Sequence, residues 1–416
     1  MLKRKISKTP AILLGGDAVN ALAVLRNLGE NGVPTFCIGE ERNEAAFSKH
    51  CRSFVSVPGI EKSNKILASY LIEHEEQFGH QTVLFPCSDL FCVNLSQIQD
   101  EIKGHYVFAA NKDISEHIVD KKKFYRSLKQ NGIPHPATYF PEDWRDLREI
   151  GRRLGYPLYL RPAITQLFTK YFPKKGLVAW SQGELEKYGK MISRHDIEFV
   201  VQEIIPGTPT HFFGLNGYLD KNHNPKGLFA YHRIREWPLG FGNGSLIESI
   251  PISSVPILKD ITLRYLKNVR YSGLFDAEFK KDPRDGNFKL LEINVRSWWQ
   301  NHFPTVCGVN LVMMAYLDAI GEETEYVETY RTGLKWVFFF NDFLSFSQLF
   351  KKGQITILHW LRSYKKVKDF AYFNPNDPVP SIVWPLINGP IYFRALLRRL
   401  SKKNVKNDRI PNGLFQ

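Results

Sequence analysis

The stretch FKLLEINVRSWWQ, Phe288 to Gln300, alternates apolar and polar residues before it runs into two tryptophans. A period of two predicts a half-buried β-strand whose apolar residues face the core. Folding alone does not require an acid, an amide and a guanidinium on the other face, so that face is a candidate site. Its residues are Glu292, Asn294 and Arg296, set between Leu291, Ile293 and Val295.

The preceding segment, GLFDAEFKK (Gly273 to Lys281), is a second alternating strand, and the residues between the two strands are rich in turn formers. The pattern predicts a β-hairpin. If both polar faces point the same way, Glu278, Glu292 and Asn294 offer hard oxygen ligands that suit Mg²⁺ held together with phosphate. Arg296 would then stabilise a phosphoryl or acyl-phosphate oxygen. The alternative is a wet sheet face on which acids and bases pair across strands.

Two further strands carry polar residues where a nucleotide could bind. YPLYLRP carries Arg161 just before its final proline, as a candidate contact for phosphate. VVQEIIPG changes from apolar residues to Gln202 and Glu203 and then turns, so that backbone groups around Glu203 and Ile205 could meet the edge of an adenine. Singly, each residue also fits an exposed charge or a sheet edge. Their ordered succession is what favours a nucleotide site.

The N-terminal part reads as a βαβ unit, AILLGGDAVNALAVLRNLGENGVPTFCIGE. Gly15 and Gly16 follow its first strand, where a backbone can approach a ligand closely. TVLFPCSDL is another parallel strand, with Ser88 and Asp89 at its carboxyl end. We expect these four residues to lie in a substrate cleft. For Ser88 and Asp89 the alternative is helix capping.

Composition bounds the class of protein. The chain has 416 residues, 43% of them hydrophobic, and a net charge of +14, which suggests an anionic partner such as a nucleotide, a phosphorylated substrate or an acidic membrane surface. Five cysteines without CxxC spacing argue against a disulfide scaffold or a cysteine zinc site and favour a cytoplasmic protein. The basic residues do not cluster in a recognisable nucleic-acid module, so no specific nucleic-acid partner is expected.

Composition shifts divide the chain into three predicted regions. Residues 1–112 form an N-terminal α/β domain. Residues 113–329 form a second domain, with a small lid at about 113–200 and a larger part at 201–329. Residues 330–416 are an aromatic and basic C-terminal extension. This extension either packs against the catalytic core or docks at the inner face of a membrane, where Trp and Phe insert and Lys and Arg meet anionic lipid.

The succession NGIPHP, YPLYLRP, VVQEIIPG, GLFDAEF, LLEINVR resembles the ATP-grasp superfamily, which includes D-alanine–D-alanine ligase, biotin carboxylase and carbamoyl-phosphate synthetase. The resemblance covers about Ala11 to Gly321 and is strongest to predicted carboxylate–amine ligases of the D-aspartate-ligase-like or carbamoyl-phosphate-synthetase-like branch. It implies an α/β (α+β) fold, in which a Rossmann-like domain precedes the ATP-grasp domain.

The resemblance also implies roles for residues. Mg²⁺ (or Mn²⁺) ligands match Glu278, Glu292 and Asn294, and the arginine that binds substrate or the transferred phosphoryl group matches Arg296. The ATP contacts match Arg161, the adenine hinge of Gln202, Glu203 and Ile205, and Lys121 or its neighbour Lys122.

Two segments depart from the family pattern or lie outside it. The loop AITQLFTKYFPKK, residues 163–175, has no glycine, so Lys170, Lys174 or Lys175 is expected to reach the phosphates instead. In YHRIREW, Arg233 and Arg235 alternate with Ile234. We expect them to share one strand face at the phosphoryl or carboxylate end of the cleft, the alternative being an exposed strand face.

The family activity implied is an ADP-forming ligase that uses ATP and Mg²⁺ to activate a small-molecule carboxylate as an acyl phosphate, which an amine then captures. A place in cell-envelope or polysaccharide precursor metabolism is a further expectation. The alternatives are an ATP-binding regulatory protein and a membrane-surface protein, either with weak or no ligase activity. A homodimer is left open.

Overall fold

The computed structural model describes residues 9–15, 18–79, 81–108, 117–172 and 174–389, which form three β-sheets with helices packed against them. The first sheet has five parallel strands in the order β3-β2-β1-β4-β5. Its strands are β1 Ala11–Leu14, β2 Thr35–Gly39, β3 Cys51–Ser56, β4 Thr82–Pro86 and β5 Tyr106–Phe108. The accompanying helices are α1 Ala18–Gly29, α2 Asn64–Glu73, α3 Glu75–Phe78 and α4 Asp89–Ile102, with a 3₁₀ turn at Glu44–Phe47. This strand order is that of a Rossmann-like unit, as predicted.

The second sheet is small and antiparallel, with the order β6-β9-β7-β8. Its strands are β6 Thr138–Tyr139, β7 Leu158–Pro162, β8 Leu177–Ala179 and β9 Phe199–Glu203. The helices of this region are α5 Lys121–Gln130, α6 Leu147–Leu154, α7 Thr165–Thr169 and α8 Gln182–Ser193, with a 3₁₀ turn at Trp144–Asp146. The predicted boundary near residue 112 falls on residues 109–116, which are not among those described.

The third sheet has seven strands in the order β14-β13-β10-β11-β12-β15-β16. Its strands are β10 Phe212–Leu219, β11 Pro225–Trp237, β12 Asn243–Ile250, β13 Gly273–Lys281, β14 Phe288–Asn294, β15 Lys335–Val337 and β16 Val367–Phe370. The helices are α9 Pro256–Asn268, α10 Phe303–Cys307, α11 Leu311–Ala319, α12 Phe339–Lys351 and α13 Ile357–Ser363, with 3₁₀ turns at Pro209–His211 and Ile252–Ser254. Residues 379–389 are also helical. Every described helix is too short or too polar to cross a lipid bilayer.

The region after residue 330 begins inside this third sheet. β15 pairs with β12, which places Val337 opposite Leu246, and β16 continues the sheet beyond β15. Trp336 is 1% exposed, and Phe338 belongs to the same buried cluster. The predicted C-terminal extension therefore packs against the core through its first strands and helix.

The two tryptophans near the end of the opening stretch are structural. Trp298 is 2% exposed and belongs to a core cluster shared with α1 and α11, while the ring of Trp299 lies 5.4 Å from that of Phe338. Ser297 donates from its Oγ to the backbone oxygen of Asn20 at 3.1 Å. The end of β14 is thereby fixed against the first sheet, and the polar face of the hairpin meets the cleft of the N-terminal domain.

A buried histidine links three parts of the fold. His302 Nδ1 lies 3.0 Å from Asp369 Oδ1 on β16, and its Nε2 lies 3.7 Å from Glu30 Oε2 in the turn after α1. Burial alone would lower the pKa of His302, but the charges of Asp369 and Glu30 outweigh it and raise the pKa to about 9. The folded state therefore binds this proton more tightly than the unfolded chain does.

We expect this proton to make stability depend on alkaline pH. The contribution of His302 is fully present below its unfolded pKa of about 6.5 and is lost as pH rises through 9, amounting to about 3 kcal/mol. The free energy of unfolding in urea, measured from pH 6.5 to 9.5, should fall with a steeper slope in the wild type than in His302→Gln. The exposed His359→Gln variant is the control and should keep the wild-type slope. Equal slopes in all three proteins would contradict the prediction.

Candidate active site

The hairpin places the predicted acids on one face of the sheet. Glu278 on β13 is directly opposite Glu292 on β14, and the next pair along the same face is Asp276 opposite Asn294. Directly opposite residues of an antiparallel pair have their Cβ atoms about 5 Å apart and point to the same side. Both glutamates are partly accessible, with side-chain exposures of 23% and 28%. The two carboxylates therefore face a common space, although their predicted role as metal ligands stays a prediction.

Two cations converge on Glu292. Lys121 Nζ, at the start of α5, lies 2.8 Å from Oε1, and Arg161 Nη2, near the end of β7, lies 2.5 Å from Oε2. Burial alone would raise the pKa of Glu292, but the charges of Lys121 and Arg161 outweigh it and hold the pKa well below its ordinary value. Lys122 instead pairs with Glu198 at 2.5 Å. Of the two lysines that the sequence left open, Lys121 is the one that joins the cluster.

A third cation holds Glu278. Arg233 on β11 donates from Nη2 to Glu278 Oε2 at 2.6 Å, and its guanidinium carbon lies 4.4 Å from the centre of the Phe212 ring. The buried carboxylate of Glu236, with one oxygen 3.5 Å from Arg233, adds to its environment. Arg233 thus lies beside the acid pair, and its predicted role at the phosphoryl or carboxylate end of the cleft stays a prediction.

Arg235 does not share that environment, contrary to the expectation that the two arginines act together. It donates from Nε and Nη2 to both carboxylate oxygens of Asp342 on α12, at 2.8 and 2.9 Å. The pairing of β11 with β12 shifts register between Arg233 and Arg235, so simple alternation fails at this point. The role of Arg235 is to attach the C-terminal helix α12 to the sheet.

Asp276 is a site residue that the sequence reasoning did not select. It is 2% exposed and accepts hydrogen bonds from Asn216 and from Asn294 Nδ2, at 2.8 and 3.1 Å. Burial, reinforced by the charge of Glu278, raises the pKa of Asp276 to about 7. Its contact orients the Asn294 amide so that Oδ1 points away from Asp276. The signal in the sequence was its position two residues before Glu278, on the same strand face.

The N-terminal domain reaches this cluster through Asp89. Arg296 donates from Nε to Asp89 Oδ1 at 2.8 Å, from Nη1 to the Ser297 oxygen at 2.9 Å, and from Nη2 to Asn294 Oδ1 at 3.3 Å. The charge of Asp89 outweighs the effect of burial and raises the pKa of Arg296. Asp89 and Arg296 therefore close the end of the cleft beyond the acid pair.

Ser88 has the capping role that was its alternative reading. Its Oγ accepts from the backbone nitrogen of Phe91 at 3.3 Å as the N-cap of α4, and it donates to Glu61 Oε1 at 2.5 Å. Gly15 has φ +55°, and a Cβ placed there would lie 2.1 Å from the Phe91 ring, so a side chain is excluded at this turn. Gly16, the other predicted glycine, lies outside the described residues.

The predicted adenine hinge lies at the opposite end of the same strand face. Ile205 is buried, and its carbonyl oxygen accepts from Lys280 Nζ at 2.8 Å. Burial lowers the pKa of Lys280 to about 8. Glu203 accepts from the backbone nitrogen of Ala137 at 2.8 Å and from Arg284 at 2.7 Å, and buried Gln202 donates to Thr138 at 2.8 Å. The side chains of Gln202 and Glu203 thus stabilise the hinge.

The polar face consequently has an order along its strands. Lys280 contacts the hinge, Glu278 follows two residues away, and Asp276 two residues further, with about 7 Å between successive positions. On the neighbouring strand β14, Glu292 lies opposite Glu278, and Asn294 and then Arg296 lie further from the hinge. A nucleotide with its base at the hinge would therefore direct its phosphates towards the glutamate pair and the N-terminal cleft.

The glycine-free loop places one of its lysines near the cluster. Lys175 Nζ lies 3.4 Å from Asn243 Oδ1, and its charge contributes to the lowered pKa of Glu292. Close by, Tyr159 of β7 stacks on Phe241, with ring centres 5.0 Å apart and planes at 23°. The lid sheet and the turn between β11 and β12 therefore touch each other. Of the three candidate lysines, Lys175 has the contacts that favour a role at the phosphates.

The donor set suits a hard cation. Two opposed carboxylates and the Asn294 amide oxygen are the ligand types that Mg²⁺ takes when phosphate oxygens and water complete its shell. Across the described residues no group of three or more His, Cys, Asp or Glu side chains is placed to hold a metal ion by itself. The site fits a metal that arrives with a nucleotide.

Comparison with known proteins gives relatives in sequence and in fold. No family model matches the chain. It is 24% identical to the D-aspartate ligase of Enterococcus faecium over 337 residues, which cover 77% of this chain and 79% of that protein. It is 23% identical over 232 residues to the carbamoyl phosphate synthase large chain, C-terminal section, of Methanopyrus kandleri, covering 53% of this chain and 39% of that one.

Among solved structures, the fold matches the biotin carboxylase domain of Hydrogenobacter thermophilus 2-oxoglutarate carboxylase, a dimer crystallised with MgADP, ADP and bicarbonate. The TM-score is 0.61 at 15% identity, over 79% of this chain and 74% of that one. This similarity confirms the predicted α/β fold with its Rossmann-like N-terminal part. The sequence relatives and the fold match both agree with the resemblance to the ATP-grasp superfamily.

Proposed function

We propose that the chain is an ATP- and Mg²⁺-dependent ligase that activates a carboxylate as an acyl phosphate and joins it to an amine. The observation that carries the proposal is the Glu278–Glu292 pair, on which Lys121, Arg161 and Arg233 converge. Carboxylates and cations so placed can hold a metal and a polyphosphate side by side. Mn²⁺ could take the place of Mg²⁺ at the same oxygen donors.

In the first step a carboxylate oxygen of the substrate attacks the γ-phosphorus, and the bond between that phosphorus and the ADP oxygen breaks. In the second step the amine attacks the acyl carbon, inorganic phosphate leaves, and the amine loses a proton. A metal held by Glu278, Glu292 and Asn294 would neutralise charge on the phosphates. Lys121 and Arg161 bind phosphate oxygens, Arg233 supports Glu278, and Arg296 binds the carboxylate end of the substrate.

The substrate residues proposed for the N-terminal cleft are Asp89, Ser88 and the turn at Gly15. Asp89 holds Arg296 at the end of the cleft, and the absence of a side chain at Gly15 keeps the turn close to Phe91. Similarity to a D-aspartate ligase makes aspartate the first acid to test. A small amino acid would present both a carboxylate for Arg296 and an ammonium for Asp89.

We expect ADP and inorganic phosphate to form in equal amounts with an amide product when the protein is incubated with ATP, Mg²⁺, D-aspartate and a panel of amines. The measurement is coupled detection of ADP and phosphate together with mass spectrometry of the product. L-aspartate and reactions without acid are the controls. Formation of AMP and pyrophosphate would contradict the proposal, because the chemistry would then be adenylation.

The second candidate is an ATP-binding regulatory protein with little or no ligase activity, and the glycine-free loop 163–175 is the observation that favours it. Tight binding of MgADP without turnover across a broad panel of acids and amines would support it.

A role in cell-envelope or polysaccharide precursor synthesis, a homodimer and peripheral membrane attachment stay proposals. The last of these has its own structural basis in the surface of residues 339–389.

A further inference from the structure

Exposed apolar side chains are concentrated at the C-terminal end of the described chain. Of the twenty-one large hydrophobic side chains that are exposed among the described residues, twelve lie between residues 339 and 387. We name the exposed side chains of residues 339–389 the C-terminal surface. Its apolar members are Phe339, Phe340, Phe343, Phe350, Ile357, Leu358, Leu361, Phe373, Val379, Ile382, Leu386 and Ile387. Phe339 and Phe343 both have their rings beside that of Trp360 on α13, so part of this set is contiguous, and a contiguous exposed apolar patch marks an interaction site.

Helix α13 is the clearest part of this surface. It has no buried residue, and Ile357, Leu358 and Leu361 are 54%, 55% and 57% exposed. The helix is nevertheless held in place, because the Trp360 indole donates to Asp342 at 2.9 Å and stacks on Phe346 with ring centres 4.4 Å apart. A fixed helix therefore presents three aliphatic side chains to the surroundings.

The charges of the C-terminal surface all have one sign. Each of its six basic residues is exposed: Lys351, Lys352, Arg362, Lys365, Lys366 and Lys368. The three acidic residues of the same range are buried, and each is paired with a cation from elsewhere in the fold. These pairs are Asp342 with Arg235, Asp369 with His302, and Asp377 with Arg26. Within residues 339–389, therefore, no carboxylate is left at the surface to balance these basic residues.

We propose that the C-terminal surface docks on a bilayer rich in anionic lipid. Aromatic and aliphatic side chains insert at the level of the headgroups, while the lysines and Arg362 face the lipid phosphates. A second copy of the chain is a poorer occupant, because two identical cationic surfaces would face each other. The inference does not rest on the proposed ligase activity, since none of these exposed side chains belongs to the hairpin cluster.

The sequence beyond the described residues has the same charge character. Residues 390–416 contain seven basic residues and one acidic residue. Further basic residues in the same chain add to its attraction for anionic lipid, and this attraction weakens as salt increases. Binding should therefore depend on both lipid charge and ionic strength.

The test is co-sedimentation of the full chain with vesicles of phosphatidylglycerol and phosphatidylcholine, or of phosphatidylcholine alone. We expect binding to the anionic vesicles at 0.1 M salt, weaker binding at 0.5 M salt, and little binding to the neutral ones. The triple variant Ile357→Ser, Leu358→Ser, Leu361→Ser should lower the ratio of bound to free protein about tenfold or more. Replacing Lys365, Lys366 and Lys368 by Gln should lower it by a similar factor on anionic vesicles only.

Matched variants elsewhere on the chain distinguish lipid binding by the C-terminal surface from nonspecific binding by exposed apolar or basic residues. Ile66, Ile72 and Ile257 are 39%, 42% and 43% exposed, and replacing all three by Ser should leave vesicle binding unchanged. Lys65, Lys187 and Lys221, which are also exposed, serve as the Gln controls. The proposal is overturned if the wild type stays in the supernatant with anionic vesicles at 0.1 M salt, or if the α13 variant binds as the wild type does. It is also overturned if light scattering shows a dimer that the α13 variant dissolves.

Discussion

Replacing Glu292 by glutamine is expected to lower turnover by about a thousandfold or more. Glutamine keeps the shape of the side chain but offers the metal one neutral oxygen instead of a carboxylate. It also leaves Lys121 and Arg161 without the negative charge that both contact. Because the pKa of Glu292 lies well below its ordinary value, the wild-type group is ionised throughout the working pH range. The measurement is the rate of ADP formation as a function of Mg²⁺ concentration.

A neighbouring ion pair supplies the control for this prediction. Lys122 and Glu198 pair at 2.5 Å beside the site, with the Glu198 side chain 60% exposed, so Glu198→Gln should turn over normally. Glu292→Asp keeps the charge while shortening the side chain, and we expect it to recover part of the activity at raised Mg²⁺. Circular dichroism and the thermal midpoint show whether each variant is folded. A folded Glu292→Gln protein with wild-type turnover would remove this residue from the metal site.

The sequence predicted the hairpin because its information is local. Alternation with period two specified which residues share a face, and the turn residues between Lys281 and Phe288 specified an antiparallel return. The register that places Glu278 opposite Glu292 includes a shift between Glu278 and Phe279. No feature of the sequence predicts that shift, yet the shift determines which side chains of the two strands lie opposite each other.

Alternation and turn patterns could not predict contacts between side chains that are far apart in the sequence. The pairing of Arg235 with Asp342 depends on helix α12 packing against β11, and the strand irregularity next to Arg235 breaks the alternation on which the expectation relied. Lys121 and Lys122 are adjacent, and only the position of α5 relative to β14 decides which one reaches Glu292. The concentration of exposed apolar side chains after residue 339 also required the structure, because composition alone fits a buried helix equally well.

Replacing Arg296 by lysine is expected to lower turnover about a hundredfold while leaving nucleotide affinity nearly unchanged. The guanidinium donates from three nitrogens to three acceptors, Asp89, Asn294 and the Ser297 oxygen, at 2.8 to 3.3 Å. The single ammonium group of lysine lacks the planar arrangement of the guanidinium nitrogens, so it cannot donate to all three acceptors in the same directions. The hinge contact of Lys280 lies at the other end of the strand face, so the base end of the site is not disturbed.

The measurement therefore has two parts, turnover with the best acid and amine, and the Kd for MgADP by isothermal titration. Arg153→Lys, at an exposed i,i+4 pair with Glu149, is the matched control and should change neither quantity. Asp89→Asn should raise the KM for the acid, because Asp89 positions the guanidinium that meets the carboxylate. A lysine variant that loses nucleotide affinity and turnover in equal proportion would place Arg296 at the phosphates instead of the substrate end. Unchanged turnover would exclude Arg296 from both.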